Sequence, residues 1–95
     1  MPVAETRVFG RVFGRTPRGP RHMRAVEVIA IVSVDLGDYV VRVASTLTDS
    51  AGRYVMCGVR PGVGFEVDAA EEGFESDTRS YEEGKTSYDF ELNPY

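Results

Sequence analysis

The stretch TLTDSAGRYVMCGVRPGVGFEV, residues 46–67, decides the fold expected of this chain. It contains two turn signals, Asp49-Ser50-Ala51-Gly52 and Arg60-Pro61-Gly62. Each is followed by a strand-like segment, Arg53–Val59 and Gly64–Ala70, in which apolar residues recur at every second position. A strand, a tight turn and another strand within 22 residues are typical of a protein built from antiparallel sheets.

The residues within this stretch have readable physical roles. We expect Asp49 to accept hydrogen bonds from the amides that follow it, and Gly52 to adopt a positive φ that closes the turn. Pro61 and Gly62 suit the second reversal, because proline fixes φ and glycine tolerates a tight backbone. The side chains that we expect in the core are Tyr54, Met56, Val59, Phe65, Val67 and Phe74.

The same reading extends outward to the whole chain, whose Val-rich, Leu-poor composition favours strands. We expect a single domain, residues 1–95, forming an all-β, seven-stranded antiparallel Greek-key sandwich of the immunoglobulin-like or prealbumin-like kind. Residues 14–24, rich in Arg, Pro and Gly, are predicted to be a loop, and Asp35–Asp38, Glu71–Gly73 and Glu82–Lys85 to be turns. The predicted strands are Glu5–Phe13, Ala25–Val34, Tyr39–Thr48, Arg53–Val59, Gly64–Ala70, Phe74–Tyr81 and Thr86–Leu92.

Charge is distributed unevenly along the 95 residues. Residues 1–24 carry +5, residues 25–60 carry −1 and residues 61–95 carry −8, for a net charge of −4. The longest apolar run, Val28–Val34, is far shorter than the roughly 20 residues that span a bilayer, so no membrane insertion is expected. The acidic whole argues against nucleic acid as a partner, despite the basic stretch Arg7–Arg24. We expect the basic and acidic segments to neutralise each other within a monomer.

The central stretch resembles a carboxypeptidase regulatory-like domain, a member of the transthyretin-like sandwiches. The resemblance rests on T-x-T-D-S-A-G-R-Y-V-M-x-G-V-R-P-G-x-x-F-E-V, on Glu72-Gly73-Phe74, on the closing Tyr88–Leu92 and on the opening Val8-x-Gly10-x-Val12. It covers nearly the whole chain. It implies a spacer, stalk or folding-support domain of a larger exported bacterial protein, outside the cytoplasm, and it implies no catalytic residue.

Residues that could carry chemistry are few. His22 is the one histidine, whereas a zinc site needs three or four protein ligands, so a solvated loop residue is expected. The iron dioxygenases and urate-pathway hydrolases with related folds need more than one His. Cys57 is expected to be a small, semi-buried residue in mid-strand, and six serines lack a nucleophile motif. Lys85 lies near the last strand, which argues against an isopeptide crosslink from a first-strand lysine.

We therefore expect no enzyme activity, no catalytic or metal site and no cofactor. Asp49 and the acidic residues 71–83 show no calcium-loop pattern and are interpreted as solvated turns. The expected partners are neighbouring domains of a parent protein or another protein. The alternative is a cell-surface module that binds carbohydrate or protein, for which the candidate aromatic residues are Tyr39, Tyr81, Tyr88 and Tyr95.

Overall fold

The computed structural model describes residues 7–34, 39–59, 62 and 64–95. These residues form eight strands and no helix. No described segment is therefore a helix long and apolar enough to cross a membrane. The strands are β1 (Arg7–Thr16), β2 (Gly19–His22), β3 (Glu27–Val34), β4 (Tyr39–Leu47), β5 (Arg53–Cys57), β6 (Phe65–Ala70), β7 (Asp77–Ser80) and β8 (Phe90–Leu92).

Two four-stranded sheets pack face to face. In the first sheet, β1 pairs antiparallel with β2 and β5 and parallel with β8; in the second, the order is β4-β3-β6-β7 and every pairing is antiparallel. The predicted class, an all-β sandwich, is confirmed. The predicted turn at Asp35–Asp38, and Arg60 and Pro61 of the second turn, lie outside the described residues.

The core lies between the sheets and follows the period-two pattern of the strands. Val26, Val28 and Ala30 are fully buried, and Val32 packs against them from the end of the same face. The core expected from the central stretch is confirmed except for Phe74, which is partly buried at its rim. The buried apolar residues of the observed core are Val8, Val12, Val26, Val28, Ala30, Tyr54, Met56, Val59, Phe65, Val67, Ala69, Tyr88, Phe90 and Leu92.

The predicted loop at residues 14–24 is wrong for residues 14–16 and 19–22, which lie in strands. β1 continues to Thr16, and β2 returns beside it as a short hairpin. Gly19 takes φ +105° at the reversal, and the Thr16 hydroxyl donates to the Gly19 carbonyl at 2.6 Å. Pro20 is tolerated in β2 because β2 is an edge strand, where a missing amide donor leaves no ladder bond unmade. This hairpin accounts for the eighth strand.

The last strand also differs from expectation, because β8 runs parallel to β1. After β7, at the edge of the second sheet, the chain crosses to the first sheet and arrives in the same direction as β1. The strand predicted at Phe74–Tyr81 shortens to Asp77–Ser80. The Phe74 amide instead donates to the Glu71 carbonyl and forms a turn, and the Glu75 amide donates to the carbonyl of Asn93, near the C-terminus.

The turn at residues 48–52 has the expected backbone geometry, but it joins β4 of the second sheet to β5 of the first and does not close a hairpin. The Asp49 carboxylate accepts from the amides of Ala51 and Arg53, each at 2.9 Å, and Gly52 has φ +74°. Beside it, the buried Thr48 hydroxyl accepts from the Val26 amide and donates to the Met23 carbonyl. The Thr48 hydroxyl therefore links the end of β4 to the residues that precede β3 by two hydrogen bonds.

A candidate binding cleft on the first sheet

A cleft of about 450 Å³ lies on the outer face of the first sheet. β1 and β5 form its floor, and the segment that leads into β8 forms one wall. Its lining combines apolar side chains, two arginines and a carboxylate. The lining residues are Phe9, Gly10, Arg11, Arg53, Tyr54, Val55, Ser87 and Asp89.

The cleft lies where side-chain hydrogen bonds replace the backbone hydrogen bonds between β1 and the segment before β8. The Tyr88 amide donates to the Phe9 carbonyl, as in a parallel sheet. At the next step, however, the Arg11 amide donates to the Asp89 carboxylate at 2.9 Å. The Tyr88 carbonyl accepts instead from the buried Tyr54 hydroxyl. Two side chains thus complete the pairing before backbone pairing resumes between Val12 and Phe90.

Gly10 makes this arrangement possible. It pairs with Tyr54 across β1 and β5, and a Cβ built on it would lie 2.0 Å from the Tyr88 carbonyl oxygen. The segment before β8 therefore approaches β1 more closely than any side chain at residue 10 would allow. Burial, with a smaller contribution from the negative charge of Asp89, raises the pKa of Tyr54 well above its ordinary value of 10.0. Tyr54 is consequently a fixed hydrogen-bond donor and not a base.

Two cross-strand pairs give the cleft its chemical character. Phe9 lies directly opposite Val55, and both side chains are about half exposed. One step further along the strands, Arg11 lies opposite Arg53. Like charges directly opposite each other on neighbouring strands destabilise a sheet. The Asp89 carboxylate, which accepts the Arg11 amide, lies in the same cleft, so the two guanidinium groups and the one carboxylate leave a positive balance beside an apolar floor.

The two reactive side chains noted in the sequence lie far apart. Cys57 is exposed at the end of β5, opposite Arg7, so the semi-buried, mid-strand position expected for it is wrong. His22 is exposed as expected, but in β2, where its ring lies 5.1 Å from that of Phe13. Since Cys57 and His22 pair with β1 residues six positions apart, they are separated by about 20 Å along the strand.

The remaining candidate residues are dispersed. Lys85 pairs with Glu82 at 3.5 Å and lies over the Tyr88 ring. Hydrogen bonding by the Arg53 amide, aided by the Ala51 amide, lowers the pKa of Asp49 from its ordinary value of 3.8. Among residues 7–34, 39–59, 62 and 64–95, no group of three or more His, Cys, Asp or Glu side chains is placed to hold a metal ion.

The four candidate tyrosines do not share one face. Tyr88 is buried in the core, and Tyr81 is partly buried against it. Tyr39, on β4 at an edge of the second sheet, and Tyr95, near the C-terminus, are highly exposed. The flat aromatic platform that would favour carbohydrate therefore does not form from these residues.

The first and last strands are neighbours, as the charge pattern led us to expect. The two ion pairs seen in the described part of the chain, however, both lie within residues 77–85. The acidic segment meets the basic strand instead through the Asp89 carboxylate and the Arg11 amide. Within the described residues, no ion pair joins the basic segment, residues 1–24, to the acidic segment, residues 61–95.

The cleft residues were missed by the sequence analysis, although part of the signal is present. The buried Val8 and Val12 place Phe9 and Arg11 on the opposite face of β1. Their partners Arg53 and Val55 are more than 40 positions away, and nothing local in the sequence pairs them.

Comparison with known proteins supports the fold. No family model matches the chain, and no curated protein matches it. Among solved structures it is similar to the major plantain pollen allergen Pla l 1, with a TM-score of 0.61 and 13% identity over 96% of this chain and 93% of that chain. At this identity the likeness concerns the sandwich fold alone.

Proposed function

We propose that this chain is a non-catalytic β-sandwich module, an accessory or structural domain of a larger exported protein. It contacts a neighbouring domain or a protein partner through the cleft on the first sheet. The resemblance of the central stretch to carboxypeptidase regulatory-like domains belongs to the same proposal.

The observation that carries this proposal is the juxtaposition of two side-chain pairs, the apolar Phe9–Val55 and the cationic Arg11–Arg53. An acidic side chain placed between the two guanidinium groups would relieve their repulsion and accept charge-assisted hydrogen bonds from both. An apolar side chain beside it would cover the half-exposed Phe9 and Val55. The partner surface that fits best is therefore a protein segment with alternating acidic and apolar residues.

A chemical-shift titration of the isotopically labelled chain tests the binding surface. A peptide of alternating Glu and Leu is expected to shift the amides of Phe9, Arg53 and Val55, whereas a Lys–Leu peptide of equal length is not. Arg53→Ala should abolish the shifts, and Arg21→Ala, on exposed β2, should retain them. Equal binding of both peptides, or of neither, would contradict the cleft assignment. Shifts with a malto- or cello-oligosaccharide alone would favour the carbohydrate-binding alternative.

The accessory role is tested separately in the source cells. Antibodies raised against the chain are expected to detect a band much larger than 10.5 kDa in the secreted or envelope fraction. A band of 10.5 kDa confined to the cytoplasmic fraction would refute the role as part of an exported protein.

A further inference from the structure

A second surface, distinct from the cleft, lies along β4. This strand, Tyr39–Leu47, is an edge of the second sheet and pairs on one side with β3. Within the described chain, no strand pairs with its other side. Nine residues extend over about 30 Å, and they present a row of backbone donors and acceptors.

The side chains of β4 are unusually apolar for an exposed strand. Five of them are between 46% and 61% exposed: Tyr39, Val40, Val41, Val43 and Leu47. Arg42 is the single charged residue of the strand. A long edge strand of this composition is a template for pairing with another strand.

The other edge strands are shorter, and most carry features that hinder such pairing. β7 has four residues, including the Asp77–Arg79 ion pair, and β2 has four residues, including Pro20. β5 has five residues, including Arg53, and β8 has three. Short length, charge and proline are the means by which proteins protect an edge. β4 is nine residues long, has no proline and carries a single charge at Arg42, so it is the least protected of the described edges. A contact between β4 and a different edge of a second copy is therefore disfavoured.

We propose that β4 pairs antiparallel with β4 of a second copy, forming a two-fold dimer with a continuous eight-stranded sheet. The backbone groups of Val40, Arg42, Ser45 and Leu47 face away from β3, because these residues lie opposite odd-numbered β3 residues, whose backbone groups face β6 as the Ser33 amide does. An axis through Ala44 places Val40 opposite Leu47 and Arg42 opposite Ser45 of the other copy, so that like charges never face each other. The irregularity at Val43 is what allows Val40 and Leu47 to face the same free edge.

Charge argues for this occupant. The basic residues of the chain are concentrated in residues 1–24 and the acidic ones in residues 61–95, which leaves β4 nearly neutral. A strongly charged partner strand would find no opposite charge along β4. A second copy offers a strand of the same length that is also nearly uncharged. Because such a contact uses the same strand on both copies, it is satisfied in a dimer and does not extend to further copies.

Sedimentation equilibrium over a wide concentration range tests the dimer. The mass is expected to rise from 10.5 kDa to twice that value and to stop there, and to do so equally at low salt and in 1 M salt. Salt resistance separates strand pairing from an association between the basic and acidic segments, which salt would dissolve. A monomer at all concentrations, the state expected from the sequence, would overturn the proposal.

Two variants locate the contact. Val40→Lys places a charge on the exposed edge strand and is expected to leave a folded monomer, judged by circular dichroism, with at least a tenfold loss of dimer affinity. Val55→Lys, a matched change of a half-exposed valine on β5, should dimerise like the parent. In the parent, β4 amides should become protected from hydrogen exchange as concentration rises. Undiminished dimerisation of Val40→Lys, or unchanged exchange in β4, would refute strand pairing.

Discussion

Two glycines with the same backbone conformation allow strain and crowding to be measured separately. Gly52 has φ +74° and Gly58 has φ +73°, so an alanine at either site has the same left-handed strain, about 1–2 kcal/mol. The lower entropy of the unfolded chain with alanine is also common to both variants and cancels in the comparison. What differs is the space around each Cβ.

A Cβ on Gly58 would meet nothing within 4 Å. A Cβ on Gly52 would lie 2.8 Å from the Val12 carbonyl oxygen and 3.1 Å from the Met23 amide nitrogen. Both contacts are with backbone, which cannot rotate away. Moreover, the Gly52 carbonyl accepts the Val12 amide at 2.8 Å, so moving the turn would strain a ladder bond. Overpacking of this kind costs about 1–3 kcal/mol beyond the shared strain.

We therefore expect Gly52→Ala to melt roughly 4–24 °C below Gly58→Ala, given about 4–8 °C per kcal/mol for a domain of this size and an overpacking cost of about 1–3 kcal/mol. Thermal unfolding followed by circular dichroism, with a urea titration for the free energy, measures both variants against the parent. If the two variants have the same stability within about 0.5 kcal/mol, the close approach of Gly52 to β1 does not exist in solution, and the reasoning fails.

Three further outcomes follow from the contacts described. Tyr54→Phe removes the donor to the buried Tyr88 carbonyl and should lower the unfolding free energy by about 1–3 kcal/mol. Tyr88→Phe loses a partly buried hydrogen bond to the Lys85 carbonyl and should lower it less. An equal loss for the two variants in urea titrations would argue against the role of Tyr54. Gly10→Ala should destabilise the domain by at least 1–3 kcal/mol, roughly the cost of overpacking, and an unchanged melting temperature would contradict the close approach to residue 88. The folded-state pKa of Asp49 is depressed, so its stabilisation is present above its ordinary value of 3.8 and is lost as pH falls through the lower folded value. The melting-temperature gap between the parent and Asp49→Ala should therefore be wide at pH 6 and should narrow as the pH is lowered below 3.8; a gap independent of pH would refute the carboxylate's role.

Several features of the fold could be predicted from sequence because their causes are local. The alternation of Tyr54 with Met56 and of Phe65 with Val67 predicted which faces of β5 and β6 lie in the core, and the Asp49–Gly52 motif predicted its own turn. Hydrogen bonds two to four residues apart and a positive φ depend on adjacent residues, and these are readable in a single sequence.

Other features were mispredicted or missed because their causes are distant in the chain. The Arg-, Pro- and Gly-rich segment resembled a loop, but pairing with β1 makes part of it β2. Cys57 resembled an interior residue, yet it lies at an exposed strand end. The parallel arrival of β8 depends on a crossover between sheets, which no local pattern encodes.

The sequence by itself therefore determined the class of the fold, the strand faces that are buried and the turn that links the two sheets, since period and turn chemistry act over a few residues. Only the tertiary structure decided that Arg11 faces Arg53, that the Tyr54 hydroxyl replaces a ladder bond beside Gly10, and that β4 is left as an open apolar edge. These features arise from pairing between segments 30 to 80 residues apart, where register and strand order are set by the packing of the whole domain.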